Sequence, residues 1–332
     1  MPRPARLSRQ QRVAGDASLP RSSARRERAL GLVLGALLDA VLGDPRRGHP
    51  VAGFGRAAGA LEQLTWSDSR ARGAAFTALG VGTPVAAAWA IERRTPPGWP
   101  RVALTALATW SVLGARSLVR EGQVMSELLV DEDELGPARA RLSHLAGRDP
   151  SGLDADELAR ASVESLAENT SDAVVAPLLW GAVAGLPGLI GYRAANTLDA
   201  MVGHRSTRYE RFGWASARLD DLVNFVPARI SALLAVLSGG RPRAAMIAWR
   251  RDAPAHPSPN AGPVEAAFAG SLGVRLGGTN VYGDRVEHRG RLGTGPSARP
   301  PDLLRAVRLC VRVDALAVVL AAALARVAGR RR

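Results

Sequence analysis

The sequence predicts an all-α, polytopic integral membrane protein with about four to six membrane or re-entrant helices, joined by amphipathic and loop segments. Three observations predict it. Apolar side chains make up 47% of the 332 residues but aromatics only 5%, so the apolar content is mostly Ala, Leu and Val, the composition of closely packed membrane helices. Residues 74–91 and 173–192 are uncharged runs of about the length that spans a bilayer. Alternating β-branched runs are nearly absent, which leaves strands without a signal.

From the N-terminus, the chain divides into a tail, residues 1–28, and a single helical membrane catalytic domain, residues 29–329. In the tail eight arginines face only Asp16 and Glu27, among Pro and Ser and without an apolar period, so disorder is expected. The tail reads as a positive-inside anchor, and without interleaved aromatics to stack bases, nucleic acid is not an expected partner. A secretory signal is not expected either, since the next apolar run lacks a small-residue cleavage site and continues into GDPRRGHP.

Residues 29–42 are a shorter helical candidate interrupted by Asp39 and ended by Gly43 and Pro45. His49-Pro50 is then a rigid turn holding an imidazole, as proton acceptor or hydrogen-bonding strut. Residues 74–91 come next, with Arg70, Arg72, Arg93 and Arg94 at both ends, and then residues 102–115. The loop 116–172 carries its own helices: an amphipathic one ending near Gly147, with His144 solvated, and one opened by Asp154 and Glu157 at capping-box spacing. After residues 173–192 come residues 222–238, interrupted by Arg229. The stretch 252–278 starts with Pro254, Pro257 and Pro259 and turns helical from Val264, residues 279–301 read as a loop, and residues 313–325, with Asp314, are the last candidate. Arg25, Arg26 and Arg28 before the first candidate and Arg326 and Arg330 after the last place both ends in the cytoplasm, with an even number of crossings. The arginines at both ends of 74–91 leave the intermediate topology open, and at least one short candidate is expected to be re-entrant or merely packed.

Composition excludes several chemistries. All 44 basic residues are arginine, so no lysine Schiff base or lysine nucleophile exists. Cys310 is alone, which removes disulfides and cysteine zinc sites and leaves a packed core thiol. GxxxxGK[ST], GxSxG and HExxH are absent.

What remains is oxygen-donor chemistry. Glu164, Glu168 and Asp172 recur at i, i+4 and i+8, on one face of a continuous helix. Asn196 with Asp199, and Asp220 and Asp221 with Asn224, keep similar spacings. Such donors suit Mg²⁺, which takes one or two carboxylates and leaves room for water and phosphate. The competing reading makes them solvated helix ends paired with Arg193, Arg208, Arg211 and Arg218. Three clusters between apolar helices favour a site, because ionisable groups near lipid are costly and usually functional. His256, Ser258 and Asn260 sit on a proline-stiffened loop before a helix whose N-terminal amides suit an anion or phosphate; Glu265, on its first turn, is equally open to being part of such a site or ordinary charge compensation at that end.

Longer stretches carry a resemblance. ESLAENTSDAVVAPLLW and YRAANTLDAMVGHRSTRYERFGWASARLDDLVNFVPARISALL closely resemble segments of the CobD/CbiB family of cobalamin-biosynthesis membrane proteins, adenosylcobinamide-phosphate synthase, and GDPRRGHPVAGFGR and SPNAGPVEAAFAGSLGVRLGG resemble two further elements of that family, in the same order along the chain. The resemblance covers about residues 30–325. It implies an ATP-dependent amide ligase of the inner membrane, multi-pass and with its site facing the cytoplasm. Such an enzyme joins the corrinoid adenosylcobyric acid to (R)-1-amino-2-propanol or its O-phosphate. The implied cofactors are Mg²⁺ with ATP as cosubstrate, and the implied partners are the two substrates, membrane lipid and other cobalamin-pathway membrane enzymes. On that hypothesis Asp172, Asp199, Asp220 and Asp221 hold the metal with help from Glu164 and Glu168, which also count as catalytic. His49 or His256 takes the proton of the attacking ammonium. Arg193, Arg208 and Arg218 clamp phosphates, with Asn196, Asn224, Ser258 and Asn260 as further substrate contacts. Two features depart from the family pattern: the basic tail, and His204-Arg205 where an aromatic and a lysine are expected. The rival readings are an Mg²⁺-dependent membrane prenyltransferase, from the NxxD-like and DDxxN groups, and a non-catalytic corrinoid scaffold or transporter.

Overall fold

Small residues set the first helix pair. In α1 (Arg21–Leu42) Gly31 and Gly35 lie one turn apart and face Thr105 and Thr109, also one turn apart, on α4 (Trp99–Val112). A Cβ on either glycine would overlap its threonine, so the backbones approach as closely as small-residue motifs allow in membrane helices. This computed structural model describes residues 21–44, 48–131, 133–143, 145, 149–204, 206–282 and 285–327. α1 already begins at Arg21, so residues 21–28 are helical rather than part of an irregular tail; residues 1–20 lie outside the described residues.

α2 (Pro50–Thr65) starts with Pro at its first position, where the missing N–H costs nothing, and α3 (Arg70–Arg94) comes after a short turn. α5 (Ala115–Leu128) brings Gly122 against Leu166 and Val307. α6 (Gly136–Leu142) is shorter than the sequence suggests, and His144 and Gly147 lie outside the described residues. α7 (Ala155–Thr170) opens with the expected capping box: the Asp154 side chain accepts from the Glu157 N–H at 2.8 Å, and the Glu157 carboxylate from the Asp154 N–H at 3.2 Å.

The run 173–192 does not cross in a straight line. α7 widens into a π-helical turn (Ser171–Val175) and continues as α8 (Ala176–Leu198), but α8 is broken at Gly185, whose φ of 68° and ψ of −147° are open to glycine alone. The chain doubles back there. Gly188 packs on the Trp180 carbonyl and Gly181 on Leu189, and the Tyr192 hydroxyl donates to the Asp172 carbonyl at 3.1 Å, so the two limbs form a helical hairpin. Arg28 donates to the Ala182 and Val183 carbonyls, and Glu92 accepts from the Leu186 N–H, clasping the bend. A second π-helical turn (Asp199–Gly203) ends the hairpin.

α9 (Trp214–Ser238) and α10 (Pro242–Asp252) lead through a 3₁₀ turn (Ala253–Ala255) to α11 (Ala261–Leu272), which starts three residues before the expected Val264 and is buried along its whole length. Residues 279–301 are not simply a loop. β1 (Leu276–Tyr282) and β2 (Arg285–Leu292) pair antiparallel, Leu276 with Leu292 and Thr279 with His288, with a bulge between Leu276 and Gly278. Their sequences are rich in Gly and Arg, which hides the period-two pattern. α12 (Pro300–Val327) then packs across α1, α5 and α7.

Among the described residues four stretches are long and apolar enough to cross a membrane: Arg70–Arg94, Trp99–Leu128, Ala155–Gly203 and Trp214–Ser238. The expected shorter candidates in α1 and α12 do not meet that measure. On α9, Leu222, Val226, Leu233 and Leu237 form an exposed apolar row, the outward face of a membrane helix rather than of a helix in water. The main core runs from Ala29 to Ala325, and Cys310 is buried within it. A smaller core, with Phe76 and Phe212 rings 5.1 Å apart, ties α2 and α3 to the end of the hairpin.

Candidate functional site

The two π-helical turns, α9 and the loop before α11 converge on a pocket of about 130 Å³. Glu168 comes from the last turn of α7, and Ser171 and Asp172 from the first π-helical turn. Asp199 opens the second, Asp220, Asp221 and Asn224 come from α9, and Ser258 and Asn260 precede α11. A π-helical turn inserts one residue and rotates the rest of its helix, a device found most often at functional sites. Here two of them face each other across a hairpin. Asp199 packs directly over Gly203, where any Cβ would overlap its carboxylate.

Amides hold the acids in place. Asp220 accepts from Asn224 on one oxygen at 2.9 Å and from Asn196 on the other at 3.3 Å. The Tyr192 hydroxyl, which donates to the Asp172 carbonyl, also lies 2.8 Å from the Asn224 amide oxygen, so one side chain ties both limbs of the hairpin to α9. Asn260 donates to the Asp221 carbonyl at 2.9 Å and accepts from Arg229 at 3.0 Å. Ser258 accepts from the Asn260 and Ala261 N–H groups, so two of the amides expected to greet an anion are already capped. Five carboxylates thus share one small pocket and repel one another. Among the described residues no three His, Cys, Asp or Glu side chains converge as a ready-made metal cage. The donors are nevertheless all oxygen, which fits a hard cation such as Mg²⁺ that keeps its waters and shares phosphate oxygens.

The pocket therefore brings together Glu168, Asp172, Asp199, Asp220, Asp221, Asn224, Ser258 and Asn260, with Asn196 behind Asp220. The other expected residues lie elsewhere. Glu164 is one turn deeper in the core, where its carboxylate accepts from Arg160 at 3.1 Å and from the Gly277 N–H at 2.8 Å, anchoring β1 to α7. α7 is packed on all sides at that level, so helical spacing alone could not tell pocket from core. His49 is a strut: its Nδ1 accepts from the Val51 N–H at 3.2 Å and caps α2. His256 is not displayed but buried, accepting from the Ser258 N–H at 3.0 Å while its Nε2 lies 3.5 Å from Glu265. Arg289 lies 3.7 Å from the same carboxylate, so Glu265 belongs to a buried ionic group rather than to surface charge compensation. Arg193 lines an apolar hollow with Pro50 and Phe54 between α2 and α8. Arg208 pairs with Glu62 at 3.0 Å and stacks on Trp66. Arg211 pairs with Asp68, and His204 meets the Tyr209 ring edge, while Arg205 lies outside the described residues. Arg218 lies 3.4 Å from Asp221, two-thirds exposed at the rim of the pocket, and Arg193, though it lines the neighbouring hollow, is the cation that interacts with Asp172. Sequence reasoning missed Ser171, Tyr192 and Arg229. Tyr192 was legible only as the end of an apolar run, and Arg229 only as its interruption.

A helical membrane protein with an acidic, amide-braced pocket at the open end of a helical hairpin is the class that fold and site define. The chain belongs to the CobD/Cbib family, whose profile, described as "CobD/Cbib protein", matches residues 32–310. It is 54% identical over 298 residues to the cobalamin biosynthesis protein CobD of Mycobacterium tuberculosis, covering 89% of this chain and 95% of that one. It is 45% identical over 294 residues to the protein of the same name from Rhodobacter capsulatus, covering 86% and 93%. No solved structure matches the chain.

Proposed function

We propose that this protein is an ATP-dependent amide-forming ligase of cobalamin biosynthesis, joining adenosylcobyric acid to (R)-1-amino-2-propanol or its O-phosphate at the cytoplasmic membrane face. One observation carries the reading: five carboxylates and their bracing amides line a single pocket in a chain whose relatives are named cobalamin biosynthesis proteins. The pocket admits a phosphate or an amine, not a corrinoid, so the large substrate would lie across its mouth with only the reacting propionate inside.

A carboxylate acylates an amine only after activation. Its oxygen attacks the γ-phosphorus of ATP, ADP leaves, and an acyl phosphate forms. The amine then attacks the acyl carbon, phosphate leaves, and one proton is released. Bound Mg²⁺ would neutralise the phosphate oxygens, held by two of Asp172, Asp199, Asp220 and Asp221. Asp220, braced on both oxygens, keeps a fixed position. Asp172 and Asp199 line the pocket and would take the ammonium proton, a role to which the buried His256 and the capping His49 are less suited. Arg218 at the rim meets the phosphates. The relatives' names favour the ligase over the prenyltransferase reading.

The test is reconstitution of the full chain with adenosylcobyric acid, either amine and Mg-ATP, read by mass spectrometry. An amide product is expected. No amide and no corrinoid-dependent ATP use by folded protein would overturn the reading.

A further inference from the structure

Where α9 and α11 end against α12, a cavity of about 260 Å³ is lined by four arginines: Arg241 from the turn into α10, and Arg305, Arg308 and Arg312 from α12. The two helix ends touch there, with Gly239 packed on the Ser271 side chain and the Ser271 hydroxyl donating to the Ala235 carbonyl at 3.0 Å. Backbone groups at this junction hold the guanidinium groups around it. Arg305 donates to the Leu272 carbonyl, and Arg312 to the Ser238 carbonyl at 3.3 Å. Arg241 lies so close over Gly273 that a Cβ there would overlap its guanidinium. Arg308 is one helical turn from both Arg305 and Arg312, which sets neighbouring Cβ atoms about 5–6 Å apart. Among the described residues the one carboxylate paired with any of the four is Asp302, on Arg305.

Four like charges around one cavity repel one another, and a single acid offsets only one of them. An anion relieves the rest, and guanidinium groups favour phosphate because their paired N–H donors match its oxygens. The surroundings indicate which kind of phosphate. Arg305, Arg308, Arg312, Leu316 and Val319 follow one another at three or four residues, so they form one stripe along α12. The stripe changes from cationic to apolar within a turn, and Leu316 and Val319 are 39% and 66% exposed. α9, long and apolar enough to cross a membrane, shows the same change: Leu233 and Leu237 are exposed, and the helix ends at Ser238 beside the cavity. Arginines gathered where exposed hydrocarbon begins match a bilayer interface, in which headgroup phosphates lie directly above acyl chains. A phosphate dissolved in water gains nothing from the apolar part of either helix.

We propose that this cavity binds the headgroup of an anionic glycerophospholipid, with its phosphate among Arg241, Arg308 and Arg312 and its acyl chains along Leu316 and Val319 of α12 and Leu233 and Leu237 of α9. Arg305, held by Asp302 and the Leu272 carbonyl, closes the inner side. The bound lipid joins the end of α9 to α12, and α9 is the helix that carries Asp220 and Asp221. The cavity shares no residue with the acidic pocket, so the proposal does not depend on the ligase reading and is tested by binding alone.

The probe is phosphatidylglycerol, titrated into the full-length protein in a neutral detergent and counted as bound lipid by native mass spectrometry. Phosphatidylcholine with the same acyl chains is the reference, since its choline cancels the phosphate charge. Phosphatidylglycerol is expected to bind at least about tenfold more tightly. Arg308→Gln with Arg312→Gln is expected to weaken that binding about tenfold or more, with the melting temperature in lipid-free detergent unchanged because neither arginine pairs with an acid. Arg93→Gln with Arg94→Gln takes the same charge from the exposed end of α3 and is expected to leave binding at the wild-type level. Calorimetry with inorganic phosphate distinguishes the other source of the same chemistry: phosphate binding as tight as that of the lipid, and lost in the Arg308 and Arg312 variant, would assign the cavity to a soluble phosphate and overturn the proposal. Equal binding of the two lipids, a comparison that needs no variant, would also overturn it. So would unchanged binding in the Arg308 and Arg312 variant, or an equal loss in both double variants.

Discussion

Two groups of carboxylates lie either side of Ser171–Val175, and they differ in what surrounds them. In the acidic pocket Asp220 has an amide on each oxygen, and Asn224, Tyr192 and Asn260 extend the bracing to both hairpin limbs and to α11. In the neighbouring hollow between α1, α5 and α12, Asp39 and Asp314 each keep an oxygen without a hydrogen-bond partner. Bracing fixes geometry, which suits groups that must meet a reacting phosphate in one orientation. An open oxygen in an apolar wall leaves an electrostatic cost unmet. On the proposed function, the braced acids on one side of the turn serve catalysis, while those on the other side stand in a different environment.

The largest expected effect is in the braced group. Asp220→Ala removes the acceptor of Asn196 and Asn224, so on the proposed function amide formation should fall about 100-fold or more and stability by about 1–3 kcal/mol, measured by product formation and thermal melting. A variant that melts normally and turns over normally would show that the bracing has no catalytic purpose. Next comes the bend that creates the pocket. Gly185→Ala puts a Cβ 2.6 Å from a Glu92 carboxylate oxygen at a φ of 68°, so about 1–2 kcal/mol of backbone strain adds to the clash, and proteolysis should reveal an opened hairpin.

Asp314→Asn should have the opposite sign to Asp220→Ala. Replacing a buried carboxylate that has an unmet oxygen by a neutral amide should leave stability unchanged or raise it by about 1 kcal/mol, read from the same melts. If Asp314→Asn destabilises as much as Asp220→Ala, the contrast between the two groups fails. The smallest effect supplies a reference for a fully paired acid outside both cavities. Arg251 hydrogen-bonds Asp252 through Nε and Nη2, and with the Gly293 N–H this holds the Asp252 carboxyl below its ordinary value. Because the folded value is depressed, this stabilisation is fully present above the ordinary aspartate value near pH 4 and is lost as pH falls below it. Asp252→Asn should therefore flatten the acid side of the melting profile slightly and leave the neutral side nearly parallel to wild type.

Much of the helical order was legible because its causes are local. The Asp154 and Glu157 capping box starts α7 as its spacing says, the arginines at both ends of α3 bracket the span, and Asp220 with Asn224 share a helix face as i, i+4 residues must. The same local rule placed Glu164 with Glu168 and Asp172, and there it misled. Periodicity tells which residues share a face of one helix, but not where along that face pocket gives way to core. The two histidines were misplaced for a related reason: His-Pro predicts a rigid turn, yet whether the ring points to solvent or back onto its own loop depends on neighbours such as Glu265 and the Ser258 N–H.

By itself, the amino-acid sequence determined the fold class, the membrane character, the family and the inventory of oxygen donors, because composition, helical period and multi-residue motifs are written along one chain. Tertiary structure alone decided that residues 173–192 bend back at Gly185 rather than run straight. Gly181, Gly185, Gly188 and Gly191 are equivalent in an apolar run, and Gly185 becomes the bend where Arg28 and Glu92, distant in sequence, clasp the carbonyl and amide groups exposed there. That choice sets Asp172 beside Tyr192 and Asn224, and separates the braced acids from the open ones by the thickness of a single helical turn.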